Sequence, residues 1–173
     1  MSLRRSMQCS VFTVAISLLG QLPVTAQDSP LDYPQWRGPQ RDGSAAAFVE
    51  PVPWPEQLNR RWEVEVGTGY GTPIVIGSRV YTFTRQDDDE VLSAIDTATG
   101  RVVWRTGYPA PFRANAGTQR HGPGPKSTPL FYDGKLYTLG ISGVVSVFDT
   151  GDGTLLWQHP DPSVDPLYAT AMS

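Results

Sequence analysis

Ala94-Ile-Asp-Thr-Ala-Thr-Gly-Arg-Val-Val-Trp104 reads as the end of one β-strand, a tight turn and a second strand finishing on tryptophan. Apolar residues flank Asp96 to Gly100, where an aspartate hydrogen-bonds the turn backbone and a glycine takes positive φ. The stretch recurs as Val147-Phe-Asp-Thr-Gly-Asp-Gly-Thr-Leu-Leu-Trp157, with Asp149, Gly153 and Trp157 at the offsets of Asp96, Gly100 and Trp104. A hairpin that returns in register marks a repeat architecture.

The repeat extends upstream. Thr72-Pro73 returns as Thr128-Pro129 and Val80-Tyr81-Thr82 as Leu136-Tyr137-Thr138, each 56 residues later, whereas the Asp, Gly and Trp positions return after 53. The difference falls where Gln86-Asp-Asp-Asp-Glu90 in the first copy faces only Ile141-Ser-Gly143 in the second. Trp62 precedes Thr72 by 10 residues but Trp104 precedes Thr128 by 24, so the second copy also carries an insertion of about 14. Short β-rich runs bounded by turn residues are expected at 62–66, 73–76, 80–84, 91–96 and 102–106, then at 129–132, 135–139, 144–149 and 155–158. Four antiparallel strands per 40–50 residues is roughly the period of a propeller blade. The expected fold is therefore all-β, built of four-stranded antiparallel blades, about two of them. A sandwich would not require the tryptophan to return in register.

Ala94-x-Asp96-x-x-Thr99-Gly100-x-x-x-Trp104 resembles the tryptophan-docking motif of PQQ-like β-propellers, a superfamily that holds quinoprotein dehydrogenases and non-catalytic BamB-like assembly propellers. The second copy departs from it with Val147 for Ala and Asp152 for Thr. The resemblance covers about residues 60 to 160. It implies that each tryptophan packs between adjacent blades, removing roughly 150–250 Å² from water.

The chain has 173 residues, 17 Gly and 16 Pro, which suits a turn-rich β protein. Residues 1–26 read as a secretory signal: Arg4-Arg5, an apolar core from Val11 to Leu19, and Val24-Thr-Ala26 as a small-residue cleavage site. A cleaved leader of this kind sends the chain to the periplasm or outside the cell. Cleavage removes Cys9, the only cysteine, and takes the formal charge from −3 to −5. Such an acidic balance argues against nucleic acid as partner. No later run is long and apolar enough to span a membrane.

Residues 27–59 form a Pro-rich leader containing Trp36-Arg-Gly-Pro-Gln-Arg-Asp-Gly43, a string that resembles a leader ahead of the first blade in secreted PQQ-like propeller proteins. Arg37, Arg41 and Asp42 are read as part of a strap crossing the propeller, with Trp36 anchored, rather than as ligand contacts. Gly67-Thr-Gly-Tyr-Gly71 precedes a strand and lacks a following Lys-Ser/Thr, so it is an inter-strand turn rather than a phosphate loop. Asp87-Asp-Asp-Glu90 lacks the alternating acids of a calcium loop and reads as solvated charge at a hairpin tip. The insertion from Gly107 to Lys126 is cationic within an acidic protein. Its Arg113, Arg120, His121 and Lys126 form a candidate binding loop for an anionic ligand; the alternative is a surface loop packed by Tyr108 and Phe112.

The blades are expected at residues 60–173: repeat 1 about 62–104, repeat 2 about 105–157, and the start of a third at 158–173. Two blades fall short of the 4–8 that close a propeller, so the chain is expected to be the N-terminal portion of a longer protein or to close by oligomerising. The sequence shows no nucleophile elbow, no metal-ligand cluster and no carboxylate pair. The expected function is a secreted, non-catalytic binding or assembly scaffold with protein partners and no cofactor. The alternative is the first part of a PQQ-dependent quinoprotein dehydrogenase, which would need PQQ and Ca²⁺.

Overall fold

The computed structural model describes residues 29–45, 47–112 and 119–159. The signal sequence, Arg113 and residues 160–173 of the expected third blade lie outside the described residues, while Gln158 and His159 end the last strand of the second sheet. Among the described residues, eight strands form two four-stranded antiparallel meanders. The first sheet holds β1 (Ile74–Ile76), β2 (Arg79–Gln86), β3 (Asp89–Asp96) and β4 (Val102–Pro109). The second holds β5 (Leu130–Tyr132), β6 (Lys135–Leu139), β7 (Val145–Asp149) and β8 (Leu155–His159). Each sheet keeps its sequence order, with neighbours hydrogen-bonded in succession. Gly77-Ser78 joins β1 to β2, and Asp133-Gly134, both at positive φ, joins β5 to β6. Two-residue connections of this kind match the twist of the strands they link.

The interior strands β2 and β3 are buried along most of their length on both faces, which requires cover on each side. One cover is the second sheet. Ile74, Tyr81, Phe83, Leu92 and Tyr108 from the first sheet share a core with Leu136, Val144 and Phe148 from the second repeat. By contrast, β8 is exposed at Leu155, Leu156 and Trp157. The two copies also touch at equivalent positions: the Thr72 amide donates to the Thr128 hydroxyl at 3.0 Å.

The Asp-Gly-Trp hairpin is built twice in the same way. The Asp96 amide donates to Arg101 O and the Gly100 amide to Asp96 O, both at 2.9 Å; the Asp149 amide donates to Thr154 O at 2.9 Å and the Gly153 amide to Asp149 O at 3.0 Å. The register shifts at Ala94/Ile95 and at Val147/Phe148, so that Ala94 lies opposite Trp104 and Val147 opposite Trp157. Asp96 Oδ1 accepts from the Thr99 hydroxyl at 2.7 Å and the Thr99 amide at 2.8 Å. These bonds hold the Asp96 carboxyl below its ordinary range. Where the second copy has Asp152 in place of Thr, that carboxylate caps the Thr154 amide at 2.9 Å instead.

Several expectations change. Trp62–Val66 belongs to neither sheet; it is an extended segment whose backbone link to the first sheet comes just after it, in the Thr68–Arg85 bridge. β2 and β3 run further than expected, so the acidic hairpin turns on Asp87-Asp88 alone. Asp87, Asp88 and Asp89 are exposed there, but Glu90 is 1% exposed because it points across to the second repeat. Gly107 to Pro109 continue β4, so Tyr108 sits in the core rather than in a loop. The Gly67–Gly71 run is a place where backbones meet: a Cβ on Gly71 would collide with Ser127 O, and one on Gly124 with Thr68 O.

Candidate functional site

Asp96, Gly100 and Trp104, with their copies, are joints between repeats. The Trp62 indole N–H donates to Thr97 O at 2.9 Å, and a Cβ on Gly100 would stand 2.7 Å from the Trp62 ring. One repeat later, the Trp104 indole donates to Thr150 O at 3.3 Å and a Cβ on Gly153 would stand 2.5 Å from the Trp104 ring. The Thr106 hydroxyl adds a bond to Gly153 O at 2.7 Å. Each tryptophan therefore lies on the Asp-x-x-x-Gly turn of the following repeat, and glycine is required there both for its positive φ and for the ring above it. Sequence reasoning placed Trp104 in this role and missed that Trp62 plays it for the first sheet. Trp157, at the same position in the second sheet, has no such turn among the described residues and is 53% exposed.

A second joint lies at the other end of the same contact. Glu90 Oε1 accepts from the Ile141 amide and Oε2 from the Tyr108 hydroxyl, each at 2.7 Å. Burial pushes the Glu90 carboxyl above its ordinary range, against the opposing pull of the Ile141 and Tyr108 bonds and of Arg85. Burial, helped by Glu90, also pushes the Tyr108 hydroxyl upward. The buried Arg85 guanidinium is occupied by Ala110 O at 2.8 Å, Asp87 O at 3.1 Å and the Asp88 carboxylate.

An exposed cleft lies where the Pro-rich strap passes the returning limb of the insertion. The strap is tied down by Asp32 and Tyr33. Asp32 Oδ1 accepts from the Gly77 amide at 2.8 Å, Tyr33 pairs with Val75, and Pro34 O accepts from the Phe131 amide at 2.8 Å. The strap thus crosses β1 and β5 and links the two sheets. Trp36, expected to be its anchor, is instead 58% exposed; Tyr33, packed under Gly38, holds that place. The Trp36 indole divides two cavities. One of about 470 Å³ is lined by Trp36, Lys126, Ser127 and Thr128. The other, about 220 Å³, extends to Gln35, Arg41 and Leu130.

Of the candidate loop residues, Lys126 reaches this cleft. Its ammonium donates to His121 O at 2.7 Å and lies 3.8 Å from the centre of the Tyr70 ring. Partial burial lowers its pKa. Arg120 and His121 are exposed on a short 3₁₀ turn, where His121 contributes its carbonyl. Arg37 and Arg41, read from sequence as strap residues, flank Trp36. A larger open groove of about 850 Å³ runs between Glu63–Thr68 and the β2–β3 hairpin. Among the described residues, no three His, Cys, Asp or Glu side chains are grouped to hold a metal ion.

Comparison with known proteins gives the following. The family model described as "Outer membrane protein assembly factor BamB" matches residues 55–171. The curated outer membrane protein assembly factor BamB of Shewanella oneidensis is 29% identical over 102 residues, which is 56% of this chain and 25% of that protein. The chain thus spans about a quarter of the length of that relative. Among solved structures, a europium-containing methanol dehydrogenase aligns over 53% of this chain and 16% of its own, with TM-score 0.37 and 18% identity. BamB from Moraxella catarrhalis aligns over 55% of this chain and 23% of its own, with TM-score 0.33 and 18% identity.

Proposed function

The chain belongs to the family of outer membrane protein assembly factor BamB, and from that premise we propose that it is an exported, non-catalytic propeller module that binds and positions other proteins. The observation that carries the proposal is the family match over residues 55–171, which takes in both sheets and both docking turns. The geometry supports it. The repeated Asp, Gly and Trp residues are consumed in holding one repeat to the next, and the exposed cationic and aromatic groups lie on an outward-facing strap and loop. In this reading residues 1–26 direct export and are removed near Ala26, 27–59 form the strap, and 60–173 are blade sequence completed by further blades. Localisation is periplasmic or extracellular.

Affinity capture of the tagged protein from the cell envelope of its host, with mass spectrometry of what it retains, tests this reading. Specific protein partners are expected. Incubation with PQQ and Ca²⁺ followed by desalting should leave no quinone absorbance. Retained quinone together with dye-linked alcohol oxidation would replace the scaffold with an oxidoreductase.

A further inference from the structure

We infer that the cleft between strap and insertion is the docking site for an extended acidic segment of a protein partner; this rests on the binding role proposed above. Three cations, Arg37, Arg41 and Lys126, converge on one exposed indole in a chain whose net charge is negative. Their hydrogen-bond acceptors are neutral, and only Arg37 also feels a carboxylate, that of Asp42. Arg37 lies 5.4 Å from the centre of the Trp36 ring and donates to Asp42 O at 3.0 Å. Arg41 donates to the Gln35 side chain at 3.1 Å. Lys126 is held by the His121 and Gly122 carbonyls against Tyr70. The nearby acid, Asp42, uses its carboxylate to accept from the Ser44 amide at 2.8 Å. No ion pair among the described residues includes any of the three cations.

The backbone holds this arrangement at a cost. Arg37 and Arg41 have φ of 60° and 59°, a left-handed conformation that side chains other than Gly, Asn and Asp rarely take. Strain of this kind persists where the surroundings impose it and is concentrated at binding sites.

The mode of recognition follows from what is already occupied. The open edges of β1 and β5 are closed by Tyr33 and Pro34, so a partner cannot add a strand there. Side chains must do the recognising. Trp36 offers an apolar face between two hollows, and the cations around it supply the charge complement for carboxylates. An extended acidic segment with apolar residues fits both features.

Fluorescence anisotropy of a labelled octaglutamate peptide, titrated with the full chain at low salt, tests the inference. Binding that weakens with salt is expected. It should fall at least tenfold in the R41E/K126E double variant and less than twofold in Lys135→Glu, with circular dichroism confirming that both variants are folded. Absence of binding to the parent, or equal binding by the double variant, would overturn it. So would displacement of the peptide by inorganic phosphate or oligothymidylate as effective as displacement by unlabelled octaglutamate. Envelope capture repeated with R41E/K126E separates the two proposals. Partners retained by the double variant would remove the cleft and leave the scaffold standing; no partners on the parent would remove the scaffold itself.

Discussion

Glu90 should make the contact between the two sheets depend on protonation. Its carboxylate takes one hydrogen bond from its own sheet, through Tyr108, and one from the second repeat, through the Ile141 amide. Glu90→Ala orphans both donors in a buried site. Each orphan costs about 1–3 kcal/mol, so the loss should be about 4 kcal/mol, a large part of the stability of a domain this size. Glu90→Gln keeps the acceptor for Ile141 but turns an amide NH₂ toward the Tyr108 hydroxyl, and should cost about 1 kcal/mol. The pH dependence has a definite sign. Burial raises the folded-state pKa of Glu90, so protonation favours the folded state. That contribution is fully present below the unfolded value of about 4.3 and is lost as pH rises through the folded value. Between the two values the slope is at most about 1.4 kcal/mol per pH unit. The charged or titratable neighbours are Arg85, whose attraction opposes the shift, and Tyr108. Denaturant unfolding followed by tryptophan fluorescence, from about pH 8 to about pH 4.5, should show the parent gaining stability relative to Glu90→Gln as pH falls. A constant difference between the two proteins across that range would refute the reasoning.

Three other outcomes follow from the same contacts. Trp104→Ala removes a half-buried indole and its bond to Thr150 O; denaturant unfolding should show a loss of about 3 kcal/mol. Trp157→Ala changes an exposed ring on β8 and should shift stability by less than about 1 kcal/mol in the same assay. Below about pH 4, stability should fall in the parent and in Glu90→Gln alike. The cause is Asp42, Asp96 and Asp152, whose depressed folded-state pKa values give a contribution present above the unfolded value and lost as pH falls through the folded one. Asp96→Asn should lessen that acid loss, and an acid limb unchanged in Asp96→Asn would remove Asp96 from the explanation.

The docking hairpin was legible because its chemistry is local. Asp96 bonds residues two and three positions ahead, and Gly100 answers a conformational demand inside the same turn. Its repetition then fixed the period and with it the fold. What stayed hidden depended on partners far along the chain. Glu90 looked like one more surface acid in a run of four, and only the Ile141 amide, 51 residues later, makes it a buried bridge. The shortened turn of the second copy is the place that supplies this amide, so a length difference read as a trimmed loop is also a contact. The Gly67–Gly71 run reads as a turn because it precedes a strand and lacks a following Lys-Ser/Thr; that its glycines face backbone from distant segments is not visible locally. Trp36 was expected to anchor the strap on its aromatic character alone, whereas Tyr33, paired to β1, had the position to do so. Lys126 stands out by charge, but its meeting with Trp36 and Tyr70 does not, since the strap and the insertion are far apart in sequence.

The central structural claim is that Trp62 and Trp104 each lie on the glycine turn of the repeat that follows, and a set of glycine substitutions tests it most directly. Gly153→Ala places a methyl group 2.5 Å from the Trp104 ring at φ +77°. Gly134→Ala imposes a similar φ of +69° with nothing within 4 Å, so it reports backbone strain alone. By denaturant unfolding, Gly134→Ala should cost about 1 kcal/mol and Gly153→Ala at least about 1–3 kcal/mol more. In a Trp104→Ala background most of the extra cost of Gly153→Ala should disappear, leaving only the part due to the Thr106 hydroxyl 2.9 Å from the added methyl group. An undiminished cost in that background would place Trp104 elsewhere and contradict the account.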